Sequence, residues 1–174
     1  FRGVQFGNYV EGDRRQQDLN QAYDALMDLA GILDVPPKAL SLNGELGLAF
    51  GARGKGGKGA GSAHYEPKEV VINLTKGSGA GAMAHEWFHA VDNYFSRRDG
   101  KKLDFLTITK RAQEGVRPEV VEAFKNLMSA IASTDVVKRS AIIDRTRSSA
   151  YWSTPHELAA RSFEANIIAK LQDQ

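Results

Sequence analysis

The sequence predicts an α+β fold: one helix, a few short strands close together, and then only helices. Apolar residues recur at helical spacing in the first 33 residues, short strand patterns cluster between residues 46 and 75, and the pattern is helical from residue 82 onward. Since no strand alternates with a helix, a small mixed sheet beside a helix-rich part is favoured over a parallel α/β sheet.

The composition is that of an ordinary globular domain. The chain has 174 residues, 42% of them hydrophobic and 25% charged, with a formal net charge of +2. This length fits a single domain spanning residues 1–174, and the balanced charge does not argue for a nucleic-acid or membrane partner. Neither a transmembrane run nor a signal peptide is visible, so a cytoplasmic location without a membrane partner is expected.

Two further features of the chain bound its chemistry. It contains no cysteine, so any metal must be held by nitrogen and oxygen ligands. It begins at Phe1 rather than at methionine, and we expect a domain excised from a larger multidomain protein.

The first half of the chain is divided by proline and glycine. An amphipathic helix is predicted from Asp13 to Leu33, and Pro36 with Pro37 ends it. Residues 51–61 (GARGKGGKGAG) are predicted to form a mobile loop; they lack the spacing of a phosphate-binding loop. Strands are predicted at Leu46–Phe50, Ala63–Tyr65 and Glu69–Thr75.

The second half is predicted to be helical. A helix over 82–97 carries the most informative motif, and Pro118 is placed as the first residue of another helix. A basic helix is predicted over 135–147, and a last helix from Thr154-Pro155 to Leu171.

The motif is His85-Glu-Trp-Phe-His89. Two histidines four residues apart on a helix lie on one face, so both rings can reach a single zinc ion. Glu86 is rotated by about 100° around the helix and points toward the space where water would be activated. The pattern predicts a metallopeptidase in which Glu86 takes a proton from water and delivers it to the leaving amine.

Zinc needs a third protein ligand. An extended motif with a histidine at position 95 is ruled out, because that residue is Phe95. The last helix offers Glu157, with Glu164 as the fallback. Thr154 to Glu157 also fits a capping box, in which the glutamate bonds back to the backbone of Thr154, and the spacing leaves both interpretations open.

Other polar residues near these positions have weaker claims to a role. Asp92 shares the helix face of the histidines and is better placed to orient a ligand than to be one. Tyr151 could donate a hydrogen bond to an oxyanion, although such a tyrosine is more often a packing residue. His64 and His156 are more often ordinary surface or core residues than parts of a site.

Three segments resemble a known family: HEWFHAVDNY, the upstream AHYEPKEVVINLT and the downstream YWSTPHELAARSFEA. They are similar to a large polyvalent protein-associated domain, which occurs in giant multidomain proteins of phages and conjugative elements. The resemblance implies a zincin-like metallopeptidase fold, a Zn²⁺ cofactor, a bacterial host or recipient cell, and other domains of the same polyprotein as partners.

A looser similarity links the chain to small gluzincin-like peptidases. It implies that Glu157 is the third ligand, which favours that role over the cap. It also implies that Val70–Asn73 is an edge strand along which an extended peptide substrate lies. Residues 105–150 are an insertion relative to these peptidases, which could cover the cleft or dock a partner.

The sequence therefore predicts a zinc endopeptidase acting on a protein, with metal ligands His85, His89 and Glu157 and catalytic residues Glu86 and Tyr151. The alternative is a non-catalytic module that binds protein or nucleic acid and has a structural or vestigial metal site. Its basic contacts would be Arg53, Lys55, Lys58 and the stretch 138–147. A third possibility is a self-processing domain that cuts its own polyprotein.

Overall fold

The computed structural model describes residues 1–8, 10–53, 63–75, 80–99, 103–109 and 115–173, with residues 80 and 99 through their backbone alone. Five α-helices and a four-stranded sheet are formed by these residues, so the chain is a mixture of α and β structure. In chain order the elements are β1 (Val4–Phe6), α1 (Gly12–Leu33), β2 (Gly47–Phe50), β3 (Ala63–Glu66), β4 (Val71–Leu74), α2 (Ala80–Ser96), α3 (Pro118–Ala132), α4 (Val136–Asp144) and α5 (Pro155–Gln172).

The predicted elements are confirmed in kind, and most of their ends agree within two residues. The basic helix predicted over 135–147 is shorter and ends at Asp144, while α3 and α5 both begin at the predicted prolines. Strand β1 was not predicted, since three residues between glycines give no readable alternation. The predicted glycine-rich loop lies outside the described residues from position 54 onward.

The sheet is mixed, with the strand order β1-β2-β4-β3. Strands β1, β2 and β4 are parallel, and β3 pairs antiparallel with β4, so that His64 faces Asn73. The prediction that Val70–Asn73 forms an edge strand is wrong: β4 lies between β2 and β3, and all four of its residues are buried. In the described sheet the edge strand beside α2 is β3, because the other side of β4 is paired with β2.

Helix α2 is the central helix of the molecule. One side packs on the sheet, where Met83 and Ala90 join Leu48 and Ile72 in a buried apolar cluster. Its other side packs against α5, and Phe88 meets Ala160 there. Since both sides are covered, the polar residues of α2 are buried together with its apolar ones.

Helices α3 and α4 cover α5 on its far side, where Phe124 and Val137 pack around Leu158. Helices α3 and α4 belong to the insertion that was predicted to cover the cleft or dock a partner. In the structure they support α5. None of the helices in the described ranges is long and apolar enough to cross a lipid bilayer.

Candidate metal centre

Three buried side chains from two helices meet at one point. His85 and His89 lie one turn apart on α2, and Glu157 lies in the first turn of α5. The Nε2 atoms of the two histidines are 3.1 Å apart. Glu157 Oε2 is 3.5 Å from His85 Nε2, and its Oε1 is 3.4 Å from His89 Nε2. We call these three residues the donor group, because together they could hold a metal ion.

The donor set fits a zinc ion in both chemistry and spacing. Two imidazoles and a carboxylate are ligands that zinc accepts in catalytic sites, and a fourth position would stay open. Ligands at about 2.0–2.1 Å from a tetrahedral ion are separated from one another by about 3.3 Å. The observed separations of 3.1, 3.4 and 3.5 Å lie around that value. Manganese, iron, cobalt and nickel accept the same ligands, so the identity of the metal stays a prediction.

The pKa values of His85 and Glu157 in this group are set by burial and by the hydrogen bonds that these side chains make. Burial alone would lower the pKa of His85, but its hydrogen bonds to Glu157 and Glu164 raise it to about 9. Burial would raise the pKa of Glu157, but hydrogen bonds to His85 and His89 hold it well below its usual range. The carboxylate of Glu157 is therefore ionised at neutral pH, as a metal ligand must be.

Glu157 does not form the capping box. The Thr154 hydroxyl donates to the carbonyl of Tyr151 at 2.7 Å, and the backbone N–H of Thr154 donates to the same carbonyl. The carboxylate of Glu157 instead accepts a hydrogen bond from Arg161 at 2.8 Å, one turn further along α5. The guanidinium of Arg161 lies 3.6 Å over the ring of Trp152. A cation held in this way keeps the carboxylate turned toward the histidines.

Glu86 lies next to the group on α2 and is buried, with 8% of its surface exposed. Burial raises the pKa of its carboxyl, although His89 and His85 oppose the rise. The carboxylate also accepts a hydrogen bond from the backbone N–H of Tyr65, which ties it to the edge strand β3. A buried carboxyl with a raised pKa suits proton transfer near neutral pH.

Tyr151 lies at the rim of the group and is 39% exposed. Burial raises the pKa of its hydroxyl, and the nearby carboxylate of Glu157 raises it further. The loop that carries Tyr151 is fastened to α4 by Asp144, whose carboxylate accepts hydrogen bonds from the backbone N–H groups of Trp152 and Ser153. Tyr151 is thus a partly exposed residue whose side chain is hydrogen-bonded with Glu157, at a place that a substrate could reach.

Asp92 does not orient either histidine. It is fully buried and accepts hydrogen bonds from the backbone N–H and the hydroxyl of Thr107, at 3.1 and 2.5 Å. Burial raises its pKa to about 6. The neighbouring Asn93 donates to the carbonyl of Asp104 at 2.8 Å. These two residues fasten the segment 103–109 to α2, a role that spacing along the helix could not reveal.

That segment carries Phe105 to the site. The ring of Phe105 stacks on His156 with a centroid distance of 5.3 Å and meets the edge of the His89 ring at 6.0 Å. His156 thus borders the donor group without joining it, and burial lowers its pKa. His64 is elsewhere: it pairs with Glu66 on β3 at 3.0 Å.

Four residues of the site escaped sequence reasoning in the roles they have here: Asp144, Phe105, Arg161 and Glu164. Arg161 was signalled by its position four residues after Glu157, the spacing at which opposite charges pair on a helix. Phe105 had no such signal, because its contacts depend on how the segment 103–109 folds back.

One comparison with known proteins gives a partial match. A family model described as large polyvalent protein-associated domain 1 matches residues 143–174, which is 32 of the 174 residues. The matched stretch contains Asp144, Glu157 and Arg161 but neither His85 nor His89. No curated protein and no solved structure matches the chain. The resemblance predicted from three segments is thus supported over the last of them.

Proposed function

We propose that this chain is a zinc-dependent endopeptidase of zincin-like, gluzincin type. The observation that carries the proposal is the meeting of His85, His89 and Glu157 in a buried group, with the carboxyl of Glu86 beside it. A structural metal site has no need of a carboxyl at this place, whereas water activation requires one.

The chemistry divides among the residues of the site. A zinc ion held by His85, His89 and Glu157 would act as a Lewis acid on water and on a peptide carbonyl. Glu86 takes one proton from the attacking water as the water oxygen bonds to the carbonyl carbon. Glu86 then gives that proton to the amine as the C–N bond breaks. The Tyr151 hydroxyl donates a hydrogen bond to the carbonyl oxygen as negative charge develops there.

The substrate class that fits is an extended peptide. The outer edge of β3 in the described sheet offers main-chain groups for pairing, next to the carboxyl of Glu86. We propose the setting from the family resemblance: a large polyvalent protein of a phage or another mobile element, acting in the cytoplasm of a bacterial host or recipient cell and joined to other domains.

The first experiment compares Glu86→Gln with the wild type in zinc content and in cleavage. Both proteins should hold one zinc ion, since residue 86 is not a ligand, while cleavage of a denatured casein and of a mixed peptide library should fall by roughly 10²–10⁴-fold. Mass spectrometry measures the metal and the products. Glu122→Gln, an exposed glutamate on α3, is the matched control and should behave as wild type.

The outcomes separate the alternatives. Zinc that disappears in His85→Ala, together with cleavage that survives Glu86→Gln, would refute the role of Glu86. Zinc without any cleavage would favour the binding module with a structural metal site, and salt-dependent DNA binding would then be its test. In the described part of the chain, Arg53 is already engaged with Glu66 and Gln5, which weakens the nucleic-acid alternative. Cleavage confined to a fusion with neighbouring domains would favour self-processing.

A further inference from the structure

Glu164 touches the donor group from outside. It lies two helical turns after Glu157 on α5, and its Oε2 is 3.1 Å from Nδ1 of His85. The other ring nitrogen of His85, Nε2, faces His89 and Glu157. Each nitrogen of this imidazole therefore has its own partner, and the two partners lie on opposite sides of the ring.

The second histidine lacks such a contact. Nδ1 of His89 is buried and has no hydrogen-bond partner among the described residues. The ring of His89 is held instead by packing, with Phe105 against its edge. Glu164 thus acts on one of the two histidines, and a change at this residue should be felt at His85 alone.

Gly81 provides the space for the Glu164 side chain. It lies one turn before His85 on the same face of α2, beneath α5. A Cβ atom at position 81 would come within 3.0 Å of Glu164 Oε1 and within 3.0 Å of Ile168 Cδ1. Glycine inside a helix is less stable than alanine. Here it leaves room for the carboxylate to reach the imidazole.

We infer that Glu164 is a positioning residue for His85. Its carboxylate accepts the Nδ1–H proton, which fixes the plane of the ring and leaves the Nε2 lone pair directed at the metal. In this role Glu164 is not a ligand. The inference deepens the proposed function and rests on it for the metal, whereas the hydrogen bond between Glu164 and His85 exists with or without an ion.

The first test measures zinc affinity by competition with a chromophoric chelator. Glu164→Ala should bind zinc roughly 10–100-fold more weakly than wild type, as expected for loss of a partner that orients a ligand. Glu164→Gln should lose less, because its amide oxygen still accepts the proton. The control Glu122→Ala should leave the affinity unchanged. X-ray absorption of zinc-loaded Glu164→Gln should show the wild-type number of ligands; one ligand fewer would overturn the positioning role.

The second test uses metal-free protein labelled with ¹⁵N-histidine. The Nδ1–H proton of His85 should exchange slowly in wild type and in Glu122→Ala, and it should disappear from the spectrum of Glu164→Ala. Gly81→Ala keeps the carboxylate but crowds it, so the signal should shift or broaden. If wild type binds no zinc yet shows this pattern, the proposed function fails and the contact stands. An unchanged signal in Glu164→Ala would overturn the inference.

Discussion

The buried polar residues of α2 have two different purposes. His85 and His89 belong to the donor group and Glu86 lies beside it. Asp92 and Asn93 instead bond to the segment 103–109, and Asn93 also bonds to β3. Asn93 is fully buried; its side chain accepts a hydrogen bond from the Tyr65 hydroxyl at 2.8 Å and donates to the Asp104 carbonyl. It therefore joins the edge strand, the helix and the segment that carries Phe105.

We predict that Asn93→Ala destabilises the protein by about 2 kcal/mol, because it removes two hydrogen bonds at a site that water does not reach. Urea unfolding followed by circular dichroism measures the change. Tyr65→Phe removes only one of these bonds and should cost about 1 kcal/mol. A loss of less than about half a kcal/mol in Asn93→Ala would mean that the joint is not a stabilising one.

Sequence reasoning at this scale identified the residues whose spacing is itself the signal. Two histidines four apart on a helix must share a face, so their meeting could be predicted without knowing the fold. The contact of Glu164 with His85 depends on the rotation and height of α5 relative to α2. These are set by small buried residues such as Ala159 and Ala160, and no local pattern encodes them.

At the scale of elements, the ends of helices and the strands flanked by proline could be predicted, but the order of strands could not. Three of four strands were predicted, yet the edge position was given to Val70–Asn73. Two strands joined by a turn can pair in the same way at the edge or inside a sheet. Only the unpredicted parallel pairing of β2 with β4 decides that β3 is outermost.

The loop between α4 and α5 depends on Asp144, and it should depend on pH. Partial burial would raise the pKa of this carboxyl, but hydrogen bonds from the Ser153 hydroxyl and from the N–H groups of Ser153 and Trp152 lower it to about 2 from 3.8. Because folding lowers this pKa, the carboxylate contributes stability that is complete above the unfolded value of 3.8. That contribution is lost as the pH falls toward about 2.

We therefore predict that the urea midpoint of the wild type falls between pH 5 and pH 2 more steeply than that of Asp144→Asn, which has no carboxylate to protonate. Asp135→Asn, at the exposed start of the same helix, is the control and should keep the wild-type slope. Equal slopes in wild type and Asp144→Asn would show that the loop does not depend on this charge.

At the scale of the whole molecule, the donor group joins two helices that are distant in sequence. The histidines lie on α2, which packs on the sheet, and Glu157 lies on α5, which is covered by α3 and α4. An ion held between them would bind the folded chain and not the unfolded one. Binding would therefore be coupled to global stability rather than to one loop.

We predict that free zinc at 100 times its dissociation constant raises the free energy of unfolding by about 2.7 kcal/mol. Differential scanning calorimetry with and without zinc measures the shift, and a chelator should reverse it. His85→Ala should show no shift. If zinc raised the melting temperature of His85→Ala as much as that of the wild type, the stabilising ion would lie elsewhere.

The division of the donors between α2 and α5 also has a consequence for synthesis. The two histidines leave the ribosome well before Glu157, because the whole of α3 and α4 lies between His89 and Glu157 in the sequence. A nascent chain at that stage offers a metal ion two imidazoles and no third protein ligand. The complete donor group arises only when the last helix has emerged and docked. If the proposed cleavage depends on this group, the domain could not cut itself before α5 has docked.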